Sequence, residues 1–115
     1  GFGLHLLGHW VRERGDLTLE QAVQMLTSRL ADAYRIPDRG RLVPGAHADV
    51  ILFDPLTVGR GEKRHVSDLP AGASRVDIAP LGLKGVWVNG QRVVDEAGPL
   101  TNCGKPGVLI RNFPA

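Results

Sequence analysis

His5 and His9 stand four residues apart in HLLGHWVRE. On a helix that spacing places both imidazoles on one face, where they could grip a metal ion. A zinc hydrolase helix of the H-E-x-x-H kind also needs a glutamate beside its first histidine to activate the metal-bound water. Leu6 occupies that position here. A catalytic zinc takes three protein ligands and a water. The other donors, His47, His65 and Cys103, fall in turns or loops without ligand spacing. His5 and His9 therefore read as surface or half-buried histidines, not as a metal site.

Other chemistries find no better footing. Ser28, Ser67 and Ser74 lie in no G-x-S-x-G elbow. Cys103, within TNCGKPG, has no adjacent histidine to take its proton. RGRLVPG has neither the spacing nor the following helix of a phosphate-binding loop. Arg60, Lys63, Arg64 and His65 form the one basic knot, but Glu62 interrupts it and no aromatic residue is interleaved for base stacking. Taken by themselves, these residues contain no active site.

The elements that would position them fall into two textures. From Phe2 to Arg14, apolar residues recur at Leu4, Leu7, Trp10 and Val11, which predicts a helix stopped by Gly15. Thr18 and Gln21 have capping-box spacing, with Leu17 ahead of them. Leu19, Ala22, Val23, Leu26 and Leu30 then continue a helical period, and Pro37 closes the helical region. Two or three short helices are expected over residues 1–36. Beyond Asp38 come strand and turn signals. A short strand is expected over Arg41–Val43, a Pro44-Gly45 turn, and a strand from Asp49 to Phe53 whose VILF run implies burial on both faces. Residues 56–72 read as a long loop with one weak strand at most. GVWVNGQRVV is a hairpin signal, because Asn89-Gly90 suits a turn with positive φ at both central residues. Gly107 to Arg111 could add a last strand. Helices first and antiparallel strands after make an α+β chain, and its few strands would leave their edges open.

Composition sets the outer bounds. The 115 residues are long enough for a core, and 43% hydrophobic with 23% charged residues is ordinary for a soluble protein. Fifteen Gly and eight Pro imply many turns. A net charge of +2 does not demand a nucleic-acid partner. One cysteine excludes an internal disulfide, which argues against a secreted, stapled domain. With neither a signal peptide nor a membrane-length apolar run in view, the cytoplasm is the expected compartment, with no membrane or nucleic-acid partner. The chain begins at Gly1 and its sole methionine is Met25. The expectation is a piece cut from something longer, or a protein that lost its initiator.

The run DRGRLVPGAHADVILFDP resembles the C-terminal hallmark of the metal-dependent amidohydrolase superfamily. Within it the chain is most similar to the N-acyl-D-amino-acid deacylases. LLGHWVRERGDLTLEQAVQMLTSRLADAYRI resembles that group's helix ending in VRE, followed by LTLEEAV and LTS. VWVNGQRVVDEAG resembles its VNG hairpin, and LTNCGKPGVLIR its closing T-G-x-x-P-G-x-x-R segment. The AD-apolar-FD and VNG motifs also occur in dihydroorotase-like and hydantoinase-like relatives.

The resemblance implies a parent in which a (β/α)8 barrel carries the chemistry and a small β-sandwich is built from both chain ends. Residues 1–36 would then be the last barrel helices, and residues 37–115 the C-terminal share of the sandwich. The parent would use zinc to polarise an amide carbonyl and acidify a water, with an acidic residue passing the proton to the leaving amine. Its small-molecule partner would be an N-acyl-D-amino acid. The family's metal ligands would all lie upstream of Gly1, and His5 and His9 match positions that are often basic, on a helix outside the metal site. No catalytic, metal or cofactor-binding residue is assigned to this segment, which is expected to be inactive alone and to self-associate through open sheet edges. Asn102 departs from the family's usual Gly, and the stretch from Val58 to Asp68 is divergent. The rival reading is a free-standing interaction module that binds an anionic partner through Arg60, Lys63 and Arg64, with salt-dependent RNA or DNA binding as its test.

Overall fold

The computed structural model describes residues 1–114. The chain opens with an α-helical turn, α1 (Phe2–His5), that widens into a π-helical stretch over Leu6–Glu13. Backbone N–H groups there reach back five residues, as Arg14 N does to His9 O at 2.9 Å. The wider turn changes which side chains face inward. Leu6, Leu7 and Gly8 are the buried ones, while Leu4, Trp10 and Val11 of the expected stripe are only half-buried.

Helix α2 (Leu19–Leu26) starts on the expected box. Thr18 Oγ1 accepts from Gln21 N at 3.1 Å, and Gln21 Oε1 accepts from Thr18 N at 2.9 Å. The apolar period predicted that this helix would run on to Leu30, but it breaks at Thr27, whose φ of −127° and ψ of −93° are not helical. Thr27 Oγ1 donates to the Val23 carbonyl at 2.6 Å, the back-bonding by which a threonine bends a helix. A short α3 (Ser28–Ala33) follows, and it ends before Pro37.

Among the described residues, six strands form two antiparallel sheets. β1 (Val50–Phe53), β4 (Leu83–Val88), β5 (Gln91–Asp95) and β6 (Gly98–Pro99) make one sheet in the order β1-β4-β5-β6. β2 (Gly59–Val66) and β3 (Arg75–Leu81) make a separate two-stranded ribbon. The NG hairpin forms as expected, with φ of 49° at Asn89 and 77° at Gly90. Its turn is held by the segment that leads into the neighbouring strand β1. Asn89 N donates to Asp49 Oδ1 at 2.8 Å, Gly90 N to Ala48 O at 2.9 Å, and His47 Nδ1 lies 2.8 Å from Asn89 Oδ1. The PG-turn segment and the VNG turn are thus one structural unit.

Four expectations need correction. Residues 41–43 form no strand, and neither do residues 107–111, because neither segment pairs with a strand of either sheet. The stretch taken for a loop with a weak strand carries the eight-residue β2, whose polar sequence is ordered by pairing with β3. The VILF run is not buried on both faces. Ile51 is 51% and Leu52 54% exposed, and consecutive strand residues point to opposite faces, so both faces of β1 are about half open at its centre, while Val50 and Phe53 at its ends are partly buried. The core is correspondingly small. Leu6, Leu7, Ala22 and Val58 pack together, with Leu4, Trp10, Val11, Leu17, Leu19, Leu26 and Phe53 around them.

Candidate functional site

The clearest concentration of chemistry lies where the first helix meets the β2–β3 ribbon. A cleft of about 330 Å3 is lined by His5, His9, Arg12 and Glu13 from the helix, by Arg60 and Lys63 from β2, and by Ile78 and Leu81 from β3. Glycines let these elements approach. A methyl group on Gly8 would stand 2.5 Å from the Val58 carbonyl oxygen, so only a bare Cα lets the helix lie this close to the ribbon. On β2 the register with β3 jumps between Arg60 and Lys63, which pair with Pro80 and Ile78. Gly61 and Glu62 therefore oppose Ala79 alone, a β-bulge. The bulge brings Arg60 and Lys63 to the same cleft, although residues three apart on a regular strand face opposite ways.

Within the cleft the two imidazoles stack. Their ring centroids are 4.9 Å apart and their planes 5° from parallel. His9 Nδ1 lies 2.8 Å from Glu13 Oε2, and this hydrogen bond is the main reason the Glu13 carboxyl is held below the usual glutamate value. Desolvation, followed by the charges of Arg60 and His9, depresses the His5 imidazole, with Glu13 opposing. Arg12 Nη1 donates to Val58 O at 2.5 Å and more weakly to Pro55 O at 3.4 Å, tying the helix to the loop before β2. Parallel rings direct their nitrogens side by side and not at a shared point. Among the described residues no group of three His, Cys, Asp or Glu is placed to hold a metal ion, and the residues present do not fit a zinc site.

The other singled-out residues are dispersed. His47 serves the hairpin turn, and His65 is exposed on β2 opposite Val76. Cys103 is half-buried, its Sγ 3.2 Å from the Leu100 carbonyl oxygen. Ser28 opens α3, while Ser67 and Ser74 are exposed outside the strands. The basic knot is divided. Arg64 pairs with Asp77 at 2.7 Å, whereas Arg60 and Lys63 line the cleft. Sequence reasoning missed Gly8, Arg12 and Glu13 as cleft residues. The one available signal was Gly-Arg-Gly at 59–61, an unusual opening for a strand and a mark of close approach or a bulge.

The chain thus joins helices to an antiparallel sheet in which the P-G…A-D-apolar-F-D segment is tied to the V-N-G hairpin, the two motifs that carry the resemblance to the amidohydrolases. The model of the Amidohydrolase family matches residues 2–94, and the chain belongs to this family. An N-acyl-D-glutamate deacylase from Alcaligenes xylosoxydans xylosoxydans is 40% identical over 106 residues, covering 92% of this chain and 19% of that protein. An N-acyl-D-aspartate deacylase from the same organism is 34% identical over the same shares. The crystal structure of N-acyl-D-glutamate deacylase from Bordetella bronchiseptica, complexed with zinc and a phosphonate mimic of the tetrahedral intermediate, matches with a TM-score of 0.66 and 39% identity. That match covers 87% of this chain and 19% of the solved one. The chain thus spans about a fifth of the length of the relatives it matches.

Proposed function

We propose that this chain is the C-terminal portion of a zinc-dependent enzyme that hydrolyses the linear amide of N-acyl-D-amino acids, releasing a D-amino acid and a carboxylate. The observation that carries the reading is the 40% identity to an N-acyl-D-glutamate deacylase, sustained over 92% of this chain but only 19% of that protein. In this reading residues 1–36 are the closing helices of a (β/α)8 barrel and residues 37–115 are the C-terminal strands of a small β-sandwich. Zinc belongs to the rest of the parent, and no residue of this segment touches the reacting atoms. The segment acts by closing the barrel and holding the sandwich against it, which steadies loops around a site it does not build.

Physical misfit in the isolated chain supports this placement. The VILF run has the composition of a strand covered on both sides, yet Ile51 and Leu52 are both open. The chain exposes 8349 Å2, whereas a compact monomer of its mass would expose about 6,100 Å2. Its radius of gyration of 15.9 Å likewise exceeds the roughly 13 Å of a compact domain this long. Uncovered apolar faces are what a sandwich lacking its partner strands would leave.

The test is a pair of assays on N-acetyl-D-glutamate and N-acetyl-D-aspartate with zinc added. The 115-residue chain should show no turnover, and the complete reading frame that contains it should be active and lose activity to a chelator. Turnover by the 115-residue chain overturns the reading, as does a complete frame that hydrolyses only cyclic amides or deaminates adenine.

A further inference from the structure

We propose that the cleft between the first helix and the β2–β3 ribbon is a binding site for a small aliphatic dicarboxylate. The inference goes beyond the enzymatic reading and uses only residues of this chain.

Charge comes first. Three permanent cations, Arg12, Arg60 and Lys63, line the cleft against a single carboxylate, Glu13. Glu13 is already engaged by His9 at 2.8 Å. Among the described residues, no ion pair occupies Arg12, Arg60 or Lys63. Desolvation depresses the His5 imidazole most, and the positive charge of Arg60 adds to it. An anion seated here would relieve that repulsion.

Shape and lining narrow the chemistry. Ile78 and Leu81 give the cleft an apolar wall, which suits a hydrocarbon chain and not a bare inorganic anion. The planar guanidinium of Arg60 matches a carboxylate in two-pronged fashion, and the Lys63 ammonium offers a second point charge for the other end. The helix presents its side rather than its N-terminus, so the run of free backbone N–H groups that favours phosphate is missing. A volume of about 330 Å3 is ample for a short aliphatic dicarboxylate.

Two backbone irregularities shape this cleft. The π-helical stretch Leu6–Glu13 sets His5, His9, Arg12 and Glu13 along the cleft, and such segments recur at functional sites. The bulge at Gly61–Glu62 turns Lys63 to the side of Arg60, and Gly61 is required there because a Cβ would meet the Ala79 carbonyl oxygen at 2.9 Å.

The experiment is a titration of the full 115-residue chain with glutarate at constant ionic strength, followed through the histidine ring resonances by NMR. The expected result is a saturable shift of the His5 and His9 signals by about 10 mM ligand, with His47 and His65 unmoved. The exposed double variant R60Q/K63Q should weaken binding at least about tenfold. Sulfate, with the same charge and no hydrocarbon, should bind about tenfold more weakly than glutarate. No saturable shift in the wild-type chain overturns the proposal without reference to any variant. So does an unchanged affinity in R60Q/K63Q, and so does equal binding of sulfate, which would make this a general anion site.

Discussion

A methyl group at position 8 has nowhere to go. Its carbon would stand 2.5 Å from the Val58 carbonyl oxygen and 3.0 Å from the Gly59 Cα, and both neighbours are backbone. The helix would have to lift off the ribbon, parting Leu6 and Leu7 from Val58, which is fully buried. Gly8→Ala should therefore destabilise the chain by about 1–3 kcal/mol, the usual cost of overpacking, in spite of alanine's better helix propensity. Chemical denaturation compares the two directly, and a neutral or stabilising substitution would show that the close approach is not maintained in solution. Arg12 reinforces the same seam from the side through its bond to Val58 O.

Among the elements, α2 depends most on local chemistry. Both halves of the Thr18–Gln21 box are made, and each satisfies a backbone or side-chain group at the helix start. Thr18→Ala should cost about 1 kcal/mol in thermal unfolding. The β2–β3 ribbon is clamped at its far end by Arg75, which donates to both Asp68 oxygens at 2.8 and 2.7 Å. That hydrogen bond holds the Asp68 carboxyl below its ordinary value of 3.8, and Arg41 does the same for Asp32. A carboxyl depressed in the folded state binds fewer protons there than in the unfolded state. Its stabilisation is complete above pH 3.8 and is lost as pH falls through the lowered native value. Between pH 5 and about pH 2, the wild-type unfolding midpoint should fall more steeply than that of Asp68→Asn. The two pairs are exposed, so the difference should be small and should shrink further in high salt. Equal slopes would mean that the clamp is not made in solution.

For the molecule as a whole, the open sheet is the dominant fact. Ile51 and Leu52, on opposite faces of β1, and the short β6 at the sheet's edge leave apolar surface and unpaired backbone groups available. The excess of exposed surface, about 2,000 Å2 over a compact monomer, is larger than the roughly 800 Å2 per partner of a standard interface. The isolated chain should self-associate as concentration rises, and Leu52→Lys should reduce the association. Sedimentation velocity across a hundredfold concentration range reads both effects. A clean monomer throughout would count against the missing-cover account. Within a complete parent enzyme the same substitution should instead lower stability, because the face would be buried.

The amino-acid sequence by itself determined the features that rest on local chemistry. Asn89-Gly90 makes its turn because both residues tolerate positive φ, and Thr18 with Gln21 starts α2 because the two side chains reach each other across one helical turn. The motif order from Asp38 to Pro55, with the VNG hairpin after it, was enough to point to the amidohydrolase family, whose model matches residues 2–94. Long-range approach was beyond such reasoning. The apolar stripe at Leu4, Leu7, Trp10 and Val11 fits an α-helix, and only packing against Val58 and Gly59 goes with the wider π turn that buries Leu6 and Gly8. Nothing local to GRGEKRHV announces a strand, since its order comes from β3, beyond the intervening loop, and from a bulge visible only in the pairing. Tertiary structure alone brought Arg60 and Lys63 to His5 and His9, because that meeting requires Gly8 to remove the side chain that would hold the helix off the ribbon, and the bulge at Gly61–Glu62 to turn Lys63 to the side of Arg60.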